Sequence, residues 1–190
     1  MHKFKITIIP TSEVSQIDLN FALSVYKKFK EYAYVDLPER VLNLNEFPSR
    51  NTAFGKQYLA DALIQAGLQI QVGVSDIVVL LTSTDIYTGG TNYIFGLATL
   101  GSALISSARI YPSFWKGVQE IIRYSSEGRS FFEKQYAKVL VHELGHALGL
   151  PHCNRWDCVM HYSNSPTELY KKGEEYCQYC WKKFLSALLC

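Results

Sequence analysis

The sequence predicts an α/β fold with a mixed sheet, built as a single domain. Residues 4–9 form a short, β-branched run that is typical of a buried strand, and residues 76–82 form a continuous apolar run that is typical of a strand buried on both faces. Apolar residues at helical spacing stand between these runs and after them, so strands and helices alternate along the chain. Because 190 residues with 48% hydrophobic content can bury a full core, we expect one domain over residues 1–190.

Local signals place the elements of the N-terminal half. Pro10 closes the first strand, and Ser15, three residues before Asp18, begins an apolar-faced helix. A strand is expected in the proline-containing stretch that follows. Residues 58–66 then form a second helical stripe, which Gly67 can end in a left-handed cap.

The next elements are a hairpin and a long helix. Residues 93–98 and 102–109 are strand-like and are separated by Gly101, so they can pair, and one of them could form the edge of the sheet. Residues 129–148 contain no proline and only one glycine, and are predicted to form a helix. This predicted helix contains most of the histidine-containing segment that is described below.

Composition narrows the range of partners. The formal net charge is +2 and no Lys/Arg cluster is longer than a pair, so we expect no nucleic acid and no membrane partner. The N-terminal apolar run is too short for a signal peptide, and no apolar stretch reaches membrane-spanning length. We expect a cytoplasmic monomer. In a reducing compartment such as the cytoplasm, closely spaced cysteines are metal ligands more often than they form disulfides.

Residues 142–152 read HELGHALGLPH, which predicts a catalytic metal site. His142 and His146 lie four apart, on one face of a helix, and can bind one metal together. Glu143 is placed one position round the helix, where it reaches a water on that metal without being a ligand. The alternative, ordinary core or surface histidines, would require three of the five histidines to fall at these offsets by accident.

The end of this segment supplies the third ligand. Gly149 can end the helix in a left-handed conformation and Pro151 prevents its continuation, so the chain turns and brings back His152. Zinc with three protein ligands and one open position is typical of catalytic sites, whereas structural sites use four protein ligands.

The segment resembles the zinc-binding motif of metzincin peptidases, which place a methionine below the zinc in a tight turn, the Met-turn. Met160, just downstream of His152, is the candidate for that methionine. Tyr162 resembles a tyrosine that can bind the zinc or the oxyanion in astacin-like metzincins, although an aromatic residue near a zinc cleft is usually part of its wall.

Four cysteines predict a second, structural zinc. Cys153, Cys158, Cys177 and Cys180 form C-x4-C followed by C-x2-C, spacings at which two loops can supply four thiolates to one metal. One or two disulfides are the alternative, and Cys190 is left over. Because Cys153 follows His152, an extended backbone would direct the two side chains to opposite faces, so the two sites would share a wall.

Together these features resemble the archaemetzincins, a metzincin family whose motif couples HExxHxxGxxH to four cysteines and a methionine. The matching residues are His142, Glu143, His146, Gly149, His152, Cys153, Cys158, Met160, Cys177 and Cys180. Residues 95–98 and 106–109 resemble the family more weakly, and the spacer from Met160 to Cys177 is one residue shorter than is usual in the family.

The resemblance implies a compact metzincin-like fold with a small zinc-stapled C-terminal part. We expect residues 1–148 to hold the sheet and the active-site helix, and residues 149–190 to hold the Met-turn and the four-cysteine site. The implied protein is a peptidase with two zinc ions that acts on a peptide or protein substrate.

In the expected mechanism Glu143 is the general base that activates a zinc-bound water, and His142, His146 and His152 hold the zinc. A non-catalytic, zinc-stabilised peptide- or protein-binding module is the alternative. A nucleic-acid-binding zinc finger would leave the histidine motif unexplained.

Endopeptidase and aminopeptidase activity both stay open. An aminopeptidase needs an acidic or blocking group at the cleft, and the sequence offers four possible anchors, each expected more often as a solvated surface charge. They are Asp85, Glu133, Asp157 and Glu168.

Overall fold

The computed structural model describes residues 3–70, 76–110 and 126–187. The strands are β1 (Phe4–Pro10), β2 (Ala33–Asp36), β3 (Ser49–Thr52), β4 (Gly55–Leu59), β5 (Asp76–Thr82), β6 (Asp85–Tyr87), β7 (Gly96–Thr99) and β8 (Ser102–Ser106). The α-helices are α1 (Gln16–Tyr26), α2 (Ala60–Ile70), α3 (Ser126–Ala147), α4 (Pro166–Lys171) and α5 (Gln178–Ala187). No helix within the described ranges combines the length and apolarity that crossing a membrane requires.

A mixed five-stranded sheet forms the centre of the fold, as the sequence predicts. Its order is β2-β1-β5-β8-β7; the first four strands are parallel, and β7 is antiparallel to β8. The predicted hairpin of β7 and β8 is therefore confirmed, and β7 is the strand at the end of the sheet. A smaller sheet has the order β3-β4-β6.

The continuous apolar run of β5 is explained by burial on both faces of the central sheet. Ile77, Val79 and Leu81 face one core, which α1 and α3 cover, while Val78 and Leu80 face a second core beneath α2. A strand with helices on both sides needs apolar residues at every position. Helix α3 packs against β7 and β8.

Two local predictions have different outcomes. Ser15 caps α1 as predicted, because its Oγ accepts a hydrogen bond from the backbone N–H of Asp18 at 3.1 Å. The prediction that Gly67 ends a helix is wrong, since Gly67 lies inside α2 and residues 58–59 belong to β4. A Cβ at Gly67 would lie 2.6 Å from Ser102 Oγ, so the glycine serves close packing of α2 on β8.

Sequence analysis did not predict strands β3, β4 and β6. Their sequences, SRNT, GKQYL and DIY, are short and lack a run of alternating apolar residues. Strands β3 and β4 pair as a tight antiparallel hairpin, and the parallel contact of β4 with β6 joins segments that are distant in sequence.

Candidate metal centres

Helix α3 presents two histidine side chains on one face. His142 Nδ1 is 2.7 Å from the carbonyl oxygen of Val159, and His146 Nδ1 is 2.7 Å from that of Leu150. A carbonyl only accepts, so each Nδ1 carries the proton and donates. Each Nε2 is then an unprotonated acceptor, and the two Nε2 atoms face each other at 3.1 Å. A cation bound between the two Nε2 atoms would remove the repulsion between their lone pairs.

The turn after α3 brings in the third histidine as predicted. Gly149 has φ +85°, its N–H donates to His146 O, and the N–H of Leu150 donates to Gly145 O. These two bonds are the Schellman pattern that ends a helix on a left-handed glycine. The chain then reverses, and ring nitrogens of His142, His146 and His152 all lie within 4.8 Å of one another.

Zinc fits this set of donors. Zn–N bonds of about 2.0–2.1 Å in a tetrahedral site place neighbouring nitrogens about 3.3 Å apart, close to the Nε2 separation of His142 and His146. Burial lowers the pKa values of His142, His146 and His152, which favours the neutral imidazole that a metal requires. Three donors leave a fourth position free on the side of the cleft.

Glu143 is buried beside this cluster, against the edge strand. A Cβ on Gly96 of β7 would lie 2.6 Å from Glu143 Cγ and 2.7 Å from its Oε1, so only glycine leaves room for the carboxyl group. Burial raises the pKa of Glu143 to about 8, and the ammonium of Lys172 acts in the opposite direction. A cation held by the histidines would likewise favour the ionised carboxylate.

A cleft of about 610 Å³ opens over the three histidines and Glu143. One wall is the edge strand β7 with the segment before it, and the other includes residues 162–164. Tyr162 is 56% exposed. Its ring makes an edge-to-face contact with the ring of His152, with ring centroids 5.0 Å apart. Tyr162 therefore forms part of the wall next to the open position.

Met160, the candidate methionine of a Met-turn, packs against α3. Its side chain is fully buried, and a Cβ on Gly145 of α3 would lie 2.5 Å from the sulfur. The carbonyl of Met160 accepts a hydrogen bond from the N–H of Cys153 at 2.9 Å. The methionine therefore packs on the helix between its two metal-facing turns and is tied to the segment that carries His152.

The four cysteines form a second cluster. The Sγ atoms of Cys153, Cys158, Cys177 and Cys180 all lie within 4.8 Å of one another, and all four thiols are free. Cys153 Sγ and Cys177 Sγ are 3.9 Å apart, compared with about 2.05 Å in a disulfide. Tetrahedral Zn–S bonds of about 2.3 Å imply a separation of about 3.8 Å, so the donors fit a four-thiolate zinc site and not disulfides.

The start of α5 supports a thiolate in this cluster. Burial acts to raise the pKa of Cys177, but hydrogen bonds from the backbone N–H groups of Cys180 and Tyr179 and from neighbouring thiols outweigh it and lower the pKa to about 7. Burial instead raises the pKa values of Cys158 and Cys180. The N–H of Cys177 in turn donates to Cys158 Sγ at 3.2 Å. Thiolate is the form that binds metal.

A single peptide bond joins the two clusters, since His152 belongs to one and Cys153 to the other. This is the shared wall that the sequence predicts. The ring of His161, which belongs to neither cluster, donates from Nδ1 to the carbonyl of Cys153 at 3.0 Å. Cys190 lies outside the described residues.

None of the four acidic residues considered as substrate anchors is among the described residues that line the cleft. The expectation that Asp85 is a solvated surface charge is wrong. Asp85 is 6% exposed and accepts hydrogen bonds from Arg109 at 3.0 and 2.6 Å. Glu133 and Asp157 pair with neighbouring arginines, and Glu168 accepts from the N–H of Asn164.

Two residues of the cleft were missed as site residues. Lys172 is 5% exposed, and burial lowers its pKa to about 8. A lysine within the pair Lys171-Lys172 has no local signal of burial. Gly96 stood in a stretch that resembles the family, but its contact with Glu143 depends on tertiary packing.

The comparisons with known proteins agree with this geometry. The model of peptidase family M54 matches residues 36–185. The archaemetzincin of Pyrococcus furiosus is 31% identical over 184 residues, covering 94% of this chain and 91% of the relative. That of Pyrococcus abyssi is 33% identical over 184 residues, covering 94% and 93%.

Solved structures of archaemetzincins share the fold. The crystal structure from Methanopyrus kandleri has a TM-score of 0.76 at 25% identity and covers 99% of this chain and 97% of its own. The structure from Archaeoglobus fulgidus, complexed with malonate, has a TM-score of 0.73 at 25% identity, with coverage of 94% and 99%.

Proposed function

We propose that this chain, which belongs to peptidase family M54, the archaemetzincins, hydrolyses peptide bonds with a water molecule activated by Glu143. As a member of this family the chain is a zinc metallopeptidase with a mixed α/β fold, and its substrate is a peptide. One observation carries the proposed mechanism: three ring nitrogens converge on an open cleft beside a buried carboxyl group.

We assign the catalytic zinc to His142, His146 and His152. Three imidazoles with both α3 rings fixed through Nδ1 suit a zinc ion with one free position. When bound there, zinc supplies a Lewis acid that makes a coordinated water acidic and polarises a carbonyl group. The protein's part is to hold these rings in the neutral form and in fixed orientations.

Glu143 moves the proton. Its carboxylate takes a proton from the attacking water, and the resulting carboxylic acid delivers it to the nitrogen of the leaving amine. Burial favours the protonated form that this second step needs, while positive charge nearby favours the ionised form needed for the first. Gly96 keeps the carboxyl group next to the wall along which a substrate would lie.

The substrate is proposed to add to the free edge of β7. This strand pairs with β8 on one side only in the described sheet, and its residues 96–98 line the cleft. Backbone groups at a free edge can pair with an extended peptide. Such pairing would align the scissile bond with Glu143, which touches Gly96.

We assign a second, structural zinc to Cys153, Cys158, Cys177 and Cys180, because four thiols at these separations fill a tetrahedral site with protein ligands. This would make residues 149–190 a zinc-stapled part attached to the sheet and helices of residues 1–148. We also propose a cytoplasmic monomer, since a reducing compartment preserves thiolate ligands.

Peptide-library profiling by mass spectrometry tests the proposed function. The zinc-loaded protein should cleave members of a library of free and N-terminally blocked peptides. Glu143→Gln should reduce the rate roughly 100- to 10,000-fold while zinc content stays the same. Cleavage that survives this substitution would contradict the role of Glu143. Absence of cleavage with both sites loaded would favour a non-catalytic binding module, and dependence on free N-termini would identify an aminopeptidase.

A further inference from the structure

A buried lysine lines the cleft next to the histidine cluster. Lys172 follows α4, and its backbone N–H donates to Glu168 O at 3.1 Å, which fixes the residue at the end of that helix. Its side chain is 5% exposed. Burying an ammonium group is costly unless acceptors or a counter-charge replace the lost water.

The protein supplies Lys172 with few acceptors. Lys172 Nζ lies 3.3 Å from the carbonyl oxygen of His161 and 3.3 Å from His142 Nδ1. The Nδ1 position already carries a proton that it donates to Val159 O, so it cannot accept from the lysine. An ammonium has three donors, and among the residues that the structure describes, only the His161 carbonyl is placed to accept one.

A second hydrogen-bond donor in the same cleft has no acceptor among the described residues. Ser163 Oγ is buried and has no hydrogen-bond partner within the described parts of the chain. Ser163 and Lys172 both line the cleft, together with apolar Val139 and Leu169. Buried polar atoms are nearly always satisfied, so an unpaired hydroxyl and an under-paired ammonium together indicate a missing acceptor.

A divalent cation held by the histidines would give the cleft a net positive charge, which favours an anionic acceptor. Among its described lining residues, Lys172 is the only Lys or Arg and Glu143 the only carboxylate. Glu143 is a nearby counter-charge that acts to raise the pKa of Lys172. However, its carboxyl group lies against Gly96 and is assigned to the water, so it does not supply the hydrogen-bond acceptors that Lys172 lacks. A carboxylate offers acceptor positions for two donors at once.

We propose that Lys172 and Ser163 bind a carboxylate of the substrate adjacent to the scissile bond. The proposal rests on the proposed peptidase function, because Lys172 contacts a histidine assigned to the catalytic zinc. The carboxylate belongs either to an Asp or Glu side chain or to the C-terminus of the peptide. The first source makes the enzyme selective for acidic residues, and the second makes it act next to the C-terminus.

Paired peptides distinguish these sources. One series has both ends blocked and carries Glu or Gln at positions flanking the cleaved bond. The other is neutral and ends in a free acid or an amide. For the wild-type protein we expect kcat/KM to be roughly tenfold or more higher for the carboxylate member of at least one series, as for a charge-assisted hydrogen bond. Equal hydrolysis within the pairs of both series would overturn the proposal.

Matched variants locate the recognition. Lys172→Met should bring the ratio within a pair close to one, Lys172→Arg should keep most of the preference, and Ser163→Ala should reduce it partially. Lys171→Met, at the exposed neighbouring lysine, is the control and should keep the wild-type ratio. A full preference in Lys172→Met with normal zinc content would also reject the proposal.

A binding measurement separates this proposal from the peptidase activity. Fluorescently labelled members of each pair are titrated into zinc-loaded Glu143→Gln protein, and the carboxylate member of the preferred series should bind roughly tenfold more tightly. If the wild type cleaves no peptide, the proposed function fails and the binding ratio alone decides carboxylate recognition. If Lys172→Met does not fold, the wild-type ratio and this titration decide it.

Discussion

The two candidate metal-binding clusters are neighbours in sequence but differ in how they are enclosed. The histidine cluster has three donors, one buried, one partly buried and one exposed, and it opens on the cleft. The cysteine cluster has four donors, two of them buried, and draws them from a loop and the start of α5. The difference shows how one short segment around His152 and Cys153 can contribute one donor to an open cluster and the next donor to a closed one. Openness supplies a reactive position, and closure supplies stability.

The largest effect expected from this difference is stepwise metal loss. A chelator should remove zinc first from the open histidine cluster, because that site has fewer donors and more solvent access. All measurable peptidase activity should disappear with the first zinc, while the circular dichroism spectrum and the melting temperature change mainly with the second. Zinc content and activity measured along one chelator titration check this order. Earlier release from the cysteine cluster would contradict it.

Breaking the cysteine cluster tests whether the closed site supports the open one. In Cys180→Ser we expect the zinc affinity of the histidine cluster to fall roughly 10- to 100-fold, as for lost supporting contacts around a metal site. The physical link is the peptide bond between His152 and Cys153 and the hydrogen bond from Cys153 N–H to Met160 O.

Competition titrations with a zinc-sensitive dye measure this affinity, and Cys190→Ser, at the cysteine that the motif spacing leaves over, is the control for loss of a thiol. Equal affinity in Cys180→Ser and wild type would refute the coupling.

A smaller effect should follow from crowding the open site. Gly96→Ala places a Cβ 2.6 Å from Glu143 Cγ, so the carboxyl group must shift. We expect kcat to fall roughly 10- to 100-fold, since displacement of a catalytic group by about 1 Å has effects of this size. Gly89→Ala is the control, because no atom lies within 4 Å of its added Cβ. Equal kcat values for the two variants would argue against the placement of Glu143.

The smallest effect is expected at the wall of the cleft. Tyr162→Phe keeps the ring contact with His152 and removes only an exposed hydroxyl, so kcat/KM should change by about twofold or less. Steady-state kinetics on one good peptide substrate measure it. A loss of 100-fold or more would instead show that the hydroxyl stabilises charge on the reacting oxygen.

Much of the site follows from short spacings along the chain. His142 and His146 face one metal because four residues make about one helical turn, and Gly149 ends α3 with the left-handed conformation that its position predicts. The cysteines meet as two closely spaced pairs, one in the loop after α3 and one at the start of α5. Strand β5 is likewise predictable from the sequence, since burial on both faces requires a continuous apolar run, and the short β-branched segment of residues 4–9 predicts β1.

Long-range packing decided what these spacings leave open. The position of β7 at the end of the sheet, the contact of Gly96 with Glu143 and the burial of Lys172 all join residues far apart in sequence. Asp85 shows the same limit, because only the fold reveals that Arg109 pairs with it away from solvent.

The sequence by itself therefore determined the candidate donor sets, the family motif and the fold class, because local backbone geometry and hydrophobic periodicity encode them. The tertiary structure alone decided the walls and charge of the cleft, because these depend on which distant surfaces meet when the core is packed.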